Sequence, residues 1–325
     1  GKTGGEACAI AVRVARAATG RSKIIASGYF GWHDWYLASN LKDKKSLDNL
    51  LLPGLDTAGV PKELKGTTLA LRYGDIEGLK KIFDKQGNKI AAIIVEVQRG
   101  RSPNLDFLNL ARKLCNKYKS ILIFDEVSSG FRINLGAIYL NYNLKPDIVT
   151  LGKALGNGFP ICAIMGKKSI MQSAQNTFIS SSYWTERLGY VAALETIKQY
   201  EKHKVDKHLK IIGKYFDDKF KTINKELNLK FQNNGLISVP ILSFNSGSKL
   251  LDLKIKTFLT QEMLKKGYIF SNVIYLSFKH NKKNIDKFFE CFYKILKENA
   301  QNFSHNYFKK KIKGPISHSG FKRLT

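Results

Sequence analysis

Residues 121–124, Ile-Leu-Ile-Phe, form an unbroken apolar run that stops at two acids, Asp125 and Glu126, the pattern of a short strand covered on both faces of a parallel sheet. Residues 148–151 repeat it more briefly, before Gly152 and Lys153. Between such runs the apolar period lengthens to that of helices. It predicts helices over 6–18, stopping near Gly20, over 78–85, and over 105–118 with apolar positions on one face. Further strands are expected over 24–27, 91–96 and 161–165, and a long helix beginning near Arg187. This alternation predicts an α/β fold with a mainly parallel sheet and helices on both faces. Past about residue 200 the pattern changes to lysine-rich helices such as 206–228, a strand pair around 237–244, a mobile loop within GSKLLDLK ahead of a helix over 254–266, and a helix over 286–297. A second, smaller α+β domain is expected there, giving boundaries of 1–195 for the large domain and 196–325 for the small one.

In an open α/β sheet the ligand crevice lies beyond the carboxyl ends of the strands, so Asp125 and Lys153 are expected to look into it. A carboxylate is rarely needed there for packing, and lysine is seldom drawn inward without a reason. An amine, an anion, an aromatic face and donors for a phosphate are the equipment that pyridoxal phosphate requires. Read singly, Asp125 could instead cap the following turn and Lys153 could be a surface lysine. The opening GKTGGEACAIAVRVARAATG runs from a glycine-rich turn into an amphipathic helix, whose unpaired N-terminal amides suit a phosphate; an ordinary loop before a helix reads as well. A nucleotide-binding loop is rejected for GKT, because the two glycines after it are expected to break the helix such a loop must enter.

At this point the chain resembles a family: the class III, fold-type-I pyridoxal-phosphate aminotransferases, nearest to the branch of glutamate-1-semialdehyde aminomutase and the amino-sugar aminotransferases of surface polysaccharides. The likeness runs from TGGEACAIAVRVARAATGRSKI through GYFGWHDWY, VEVQRG, FDEVSSGFR, PDIVTLGKALGNGFPICAIMG and SSYWTERLG to TQEMLKKGYIFSN. It implies a pyridoxal 5′-phosphate enzyme that moves an amino group between an amino donor and a carbonyl substrate through an aldimine on Lys153, with Asp125 as partner of the pyridine nitrogen. Val127 and Tyr29 are implied to pack on the two ring faces. Gly4 and Gly5 would offer amides to the phosphate, Ser182 would reach the phosphate of a neighbouring subunit in a homodimer with shared sites, and Glu96 would sit over the cofactor and gate substrate groups. An intramolecular amino shift, as in glutamate-1-semialdehyde 2,1-aminomutase, is the nearest alternative. From another class, the chain could be an inactive fragment or a non-catalytic binding protein with a basic surface. Three positions depart from the family: Gly5 stands where serine or threonine is usual, Phe30 where histidine is common, and Val97 where proline follows the acid. The chain also begins directly in the phosphate loop, so an N-terminally truncated fragment is expected.

Several residues tempt and stay open. Trp32, His33, Asp34 and Trp35 suit a substrate pocket or packing at a domain edge. Arg132 could bind a substrate carboxylate or form a structural ion pair. Glu126, adjacent to Asp125, should point to the opposite face and not share its site. The four cysteines lack ligand spacing and read as free thiols of a reducing cytoplasm, and the histidines show no metal pattern, so no metal is expected. No apolar run approaches the ~20 residues needed to cross a bilayer, and no membrane partner is expected. The net charge of +28 on 325 residues points elsewhere. The last 125 residues hold 26 of the 54 basic residues and 10 of the 26 acids. Such a surface attracts nucleic acid, yet its lysines mixed with Asn and Ile read as compositional bias, and no specific nucleic-acid partner is expected.

Overall fold

The computed structural model describes every residue except Asn49, Leu51 and 322–325. The chain divides into two units, one of residues 1–98, 103–203 and 320–325, the other of 99–102 and 204–319.

The first unit is built on a six-stranded sheet. Its strands are β1 (Lys23–Ser27), β2 (Thr68–Ala70), β3 (Ile90–Glu96), β4 (Ile121–Asp125), β5 (Ile148–Leu151) and β6 (Ala163–Gly166), in the order β2-β1-β3-β4-β5-β6. All neighbours are parallel except β5 and β6, which run antiparallel. The helices of this unit are α1 (Gly4–Thr19), α2 (Asp34–Leu37), α3 (Ile76–Gln86), α4 (Leu105–Tyr118), α5 (Lys168–Met171) and α6 (Arg187–Lys202). Helix α1 packs its Cys8, Ala11, Val12 and Ala15 on the sheet face that carries Ile24, Ala92, Ile94, Ile123 and Ile148. Helix α4 packs on β3 and β4 with Phe107, Leu108 and Ala111, which lie outside that cluster. The central strands are therefore buried from end to end, which is why they read as continuous apolar runs. The mainly parallel sheet with helices on both faces is as the alternation of elements predicts.

One local expectation changes in this unit. Gly4 and Gly5 do not break the helix; they form its first turn, capped by Thr3, whose Oγ1 accepts from the Glu6 amide at 3.2 Å. At the far end Gly20 takes the left-handed conformation and closes α1.

The second unit has its own core of aromatic and aliphatic side chains. It comprises α7 (Val205–Glu226), the two-residue strands β7 (Gln232–Asn233) and β8 (Leu242–Ser243), α8 (Lys249–Lys265), α9 (Lys282–Asn299) and α10 (His305–Lys311). The strand pair expected around 237–244 is displaced: β8 pairs with β7, and Leu236 bridges Val239 in isolation. The loop expected in GSKLLDLK is helix from Lys249, because the Ser248 side chain caps the Leu251 amide.

Candidate active site

Parallel pairing places the ends of β1, β3, β4 and β5 along one edge of the sheet. Glu96 and Asp125 are register partners, and so are Asp125 and Thr150, three residues before Lys153. The segments following these strands carry Tyr29, Val127 and Ser128, and Lys153.

Asp125 is buried at the end of β4. Its Oδ1 accepts from the Val127 amide at 2.9 Å and from the Thr150 hydroxyl at 2.8 Å, and the buried Cys8 thiol of α1 lies close to the same carboxyl. Burial pushes the Asp125 pKa above the ordinary carboxylate range, while those three groups and the Lys153 charge pull it back. Glu126 faces the other way, as strand alternation predicts. It accepts from Ser129 Oγ and the amides of Ile138 and Tyr139 at 2.7–2.9 Å, and burial lifts its pKa to about 7 despite them.

Lys153 opens the turn after β5 with φ 43, a left-handed conformation. Such a backbone costs a non-glycine residue about 1–3 kcal/mol and persists where its surroundings enforce it, commonly at functional sites. Its Nζ donates to Ser128 Oγ at 2.5 Å. Lys153 lines an open cleft of about 370 Å³ together with Lys2, Thr3, Gly4 and the turn Gly158–Ile161. The amine therefore shares one cleft with the N-terminus of α1, where the amides of Gly4 and Gly5 have no intrahelical acceptor.

Close approach excludes a side chain at Gly4 unless Val127 moves and leaves little room for one at Gly5. A Cβ on Gly4 would lie 2.6 Å from Val127 Cγ1, and one on Gly5 would lie 3.2 Å from the His33 ring. The imidazole thus fills space that the usual serine or threonine side chain at position 5 would need. Glu96 is buried, and its Oε2 accepts from the Tyr29 amide at 3.1 Å, tying the loop after β1 to the end of β3. Tyr29 is half-buried and meets Tyr36 edge-on. Ser182 is exposed in a 3-10 turn, Ser182–Thr185, and does not line the cleft. In the Trp32–Trp35 cluster the tryptophans divide: Trp35 belongs to the core, while Trp32 is 75% exposed and stacks on His33.

Sequence reasoning did not single out Ser128, Thr150 or Cys8. Thr150 carried a signal, since a polar residue in the buried run 148–151 needs a partner; Ser128 and Cys8 acquire meaning only through space.

A buried carboxylate and a lysine amine at the ends of neighbouring parallel strands, beside a helix N-terminus, make a donor set of the kind that pyridoxal phosphate requires. The donor set fits that group: burial makes Asp125 costly to ionise without an opposite charge, which a protonated pyridine nitrogen provides, and the first turn of α1 has the amides for a phosphate.

The family model for aminotransferase class-III matches residues 1–243. The 3-aminobutyryl-CoA aminotransferase of Cloacimonas acidaminovorans is 32% identical over 266 residues, which cover 79% of this chain and 59% of that relative. The glutamate-1-semialdehyde 2,1-aminomutase of Clostridium kluyveri is 33% identical over 312 residues, covering 89% of this chain and 72% of the relative. Among solved structures, the pyridoxal-phosphate form of the FumI protein of Sphingopyxis sp. MTA144 superposes with a TM-score of 0.81 at 22% identity, over 95% of this chain and 73% of that one. The chain belongs to the class-III aminotransferase family, whose cofactor is pyridoxal 5′-phosphate.

Proposed function

We propose that the protein is a pyridoxal-phosphate aminotransferase that passes an amino group from an amino donor to a ketone or aldehyde, in the cytoplasm and as a homodimer with shared sites. The two units are assigned as the large, cofactor-binding domain and the small domain. The observation that carries the reading is the convergence of Lys153, Asp125 and the first turn of α1 on the carboxyl edge of one sheet. When bound, the cofactor supplies an electrophilic aldehyde and a ring that withdraws electrons from the substrate carbon. Lys153 binds that aldehyde and, once displaced by the substrate amine, takes and returns a proton at Nζ. Asp125 holds a proton on the ring nitrogen. Gly4 and Gly5 bind the phosphate by their amides, Tyr29 and Val127 orient the ring, Glu96 gates substrate groups, and Ser182 serves the phosphate of the other subunit.

The test is borohydride trapping of the cofactor on the full-length protein. Wild type should yield a covalent adduct and Lys153→Ala none; an undiminished adduct in the variant refutes the assignment. A second reading, an intramolecular amino shift, is favoured by the likeness to the Clostridium kluyveri aminomutase over most of the chain. A transaminase releases a free keto acid from its donor, whereas a mutase moves nitrogen with no donor consumed.

A further inference from the structure

Two serines follow β4 side by side and serve different ends. Ser129 is buried, and its hydroxyl donates to Glu126 Oε2 at 2.9 Å, as part of the packing under the turn. Ser128, by contrast, is exposed, and its Oγ receives the hydrogen bond from Lys153 Nζ at 2.5 Å. The two groups lie in the turns that follow the neighbouring parallel strands β4 and β5, whose register is fixed by the pairs Phe124–Val149 and Asp125–Thr150, so the sheet brings the two turns together.

The chemistry of the pair is telling. A lysine side chain has four rotatable bonds, and a proton can be moved at a defined carbon only if Nζ is held near it. A carboxylate in this position would hold the amine but also stabilise its ammonium form, and a methyl group would not hold it at all. A hydroxyl is both donor and acceptor. It accepts from an ammonium, and by rotating its own O–H it donates into the lone pair of a neutral amine.

Resting on the aminotransferase reading above, we propose that Ser128 is a positioning residue for Lys153, its hydroxyl staying bonded to the ε-amine as that amine gains and loses a proton. When neutral Nζ takes a proton from the substrate carbon, the electron pair of the broken C–H bond stays with the carbon, and one N–H of the new ammonium points at Ser128 Oγ. When Nζ gives the proton up, the Ser128 O–H turns toward the lone pair. No net proton is taken up by Ser128.

The experiment follows single-turnover amino transfer from a donor to the full-length holoenzyme by the change in the cofactor's visible absorbance, with protium or deuterium on the donor carbon that bears nitrogen. Ser128→Ala should slow this step about tenfold, the scale of one lost orienting hydrogen bond. It should enlarge the deuterium isotope effect and leave cofactor retention on dialysis unchanged. Ser128→Thr should recover most of the rate, and Ser128→Asp should move the acidic limb of the pH–rate profile to higher pH by stabilising the ammonium. Unchanged rate, isotope effect and pH profile in Ser128→Ala overturn the proposal, as does a Ser128→Thr variant no faster than Ser128→Ala. Borohydride trapping separates the two levels: an adduct on Lys153 with flat hydroxyl readouts removes the positioning role alone, and a wild-type protein without an adduct removes both readings.

Discussion

Asp125 sits where stability and activity pull apart. Burial raises its pKa, so in the cofactor-free protein its favourable contribution is complete below the ordinary value of 3.8 and is lost as pH rises through the raised value. Asp125→Asn keeps an oxygen for the Val127 amide and the Thr150 hydroxyl but carries no charge. At pH 7 the cofactor-free variant should unfold at the same temperature as wild type or higher, while losing about two to four orders of magnitude in turnover, the equivalent of roughly 3–5 kcal/mol for an unpaired buried cation. Thermal melts of the two apoproteins and steady-state rates of the holoenzymes check both directions; a destabilised apoprotein would show that the carboxylate's hydrogen bonds outweigh its burial. Gly5 gives a second residue-scale outcome. Because a Cβ there meets His33 at 3.2 Å, Gly5→Ser alone should not tighten cofactor binding, whereas the double variant with His33→Ala should bind more tightly than either single one, as read by dialysis. The placing of Asp125 and Lys153 at the ligand edge of the sheet was legible in the sequence because each follows an apolar run, whereas Glu96 came into view through the family resemblance. Ser128 and Cys8 were not, because their partners lie 25 and 117 positions away along the chain, and only the register of β4 with β5 and the packing of α1 on the sheet bring them near.

At the scale of elements, the lysine-bearing turn is set by the strand before it, and β5 is anchored at its start by one acid. Asp147 accepts from the Leu122 amide of β4 and from Arg112 of α4, both at 2.8 Å, and from Lys167, just after β6, at 2.6 Å. Burial opposes ionisation of Asp147, yet these donors outweigh it and hold the carboxyl below its usual value. The stability it adds is present above pH 3.8 and is lost as pH falls through the depressed value. Asp147→Ala leaves the partly buried Arg112 without its acid and should cost about 3 kcal/mol in urea melts at pH 7. The same variant should flatten the acid limb of stability below pH 3.8; an acid limb as steep as that of wild type would assign the loss to packing. The element boundaries show what a pattern can carry. The run 105–118 coincides with α4 because an amphipathic stripe, the Asn104 cap and the left-handed Lys119 all agree. The antiparallel course of β6 was not legible, since apolar content is indifferent to strand direction. Helix α8 began earlier than its periodicity suggested because a single capping serine decided it.

For the molecule as a whole, charge is the property that neither fold nor site explains. Residues 204–319 contain 23 lysines, no arginine and nine acids. The ion pairs there, such as Lys214–Asp218 and Lys265–Glu262, are largely exposed, and pairs of that kind contribute between nothing and about 1 kcal/mol. The excess positive charge therefore remains as mutual repulsion and as a field felt by any polyanion. Lysine without arginine argues against a built recognition surface, because bidentate reading of phosphates and of guanine favours the guanidinium fork. Two outcomes follow from repulsion alone. Raising sodium chloride from about 0.02 to about 0.2 M shortens the screening length from roughly 20 to 7 Å and should raise the melting temperature of the protein. Over the same interval, retention of duplex DNA should collapse, and at low salt duplexes of unrelated sequence should compete equally. If one duplex stayed bound at the higher salt while a scrambled one was released, the lysines would have to be read as a specific surface, and a nucleic-acid partner would enter the account of this enzyme.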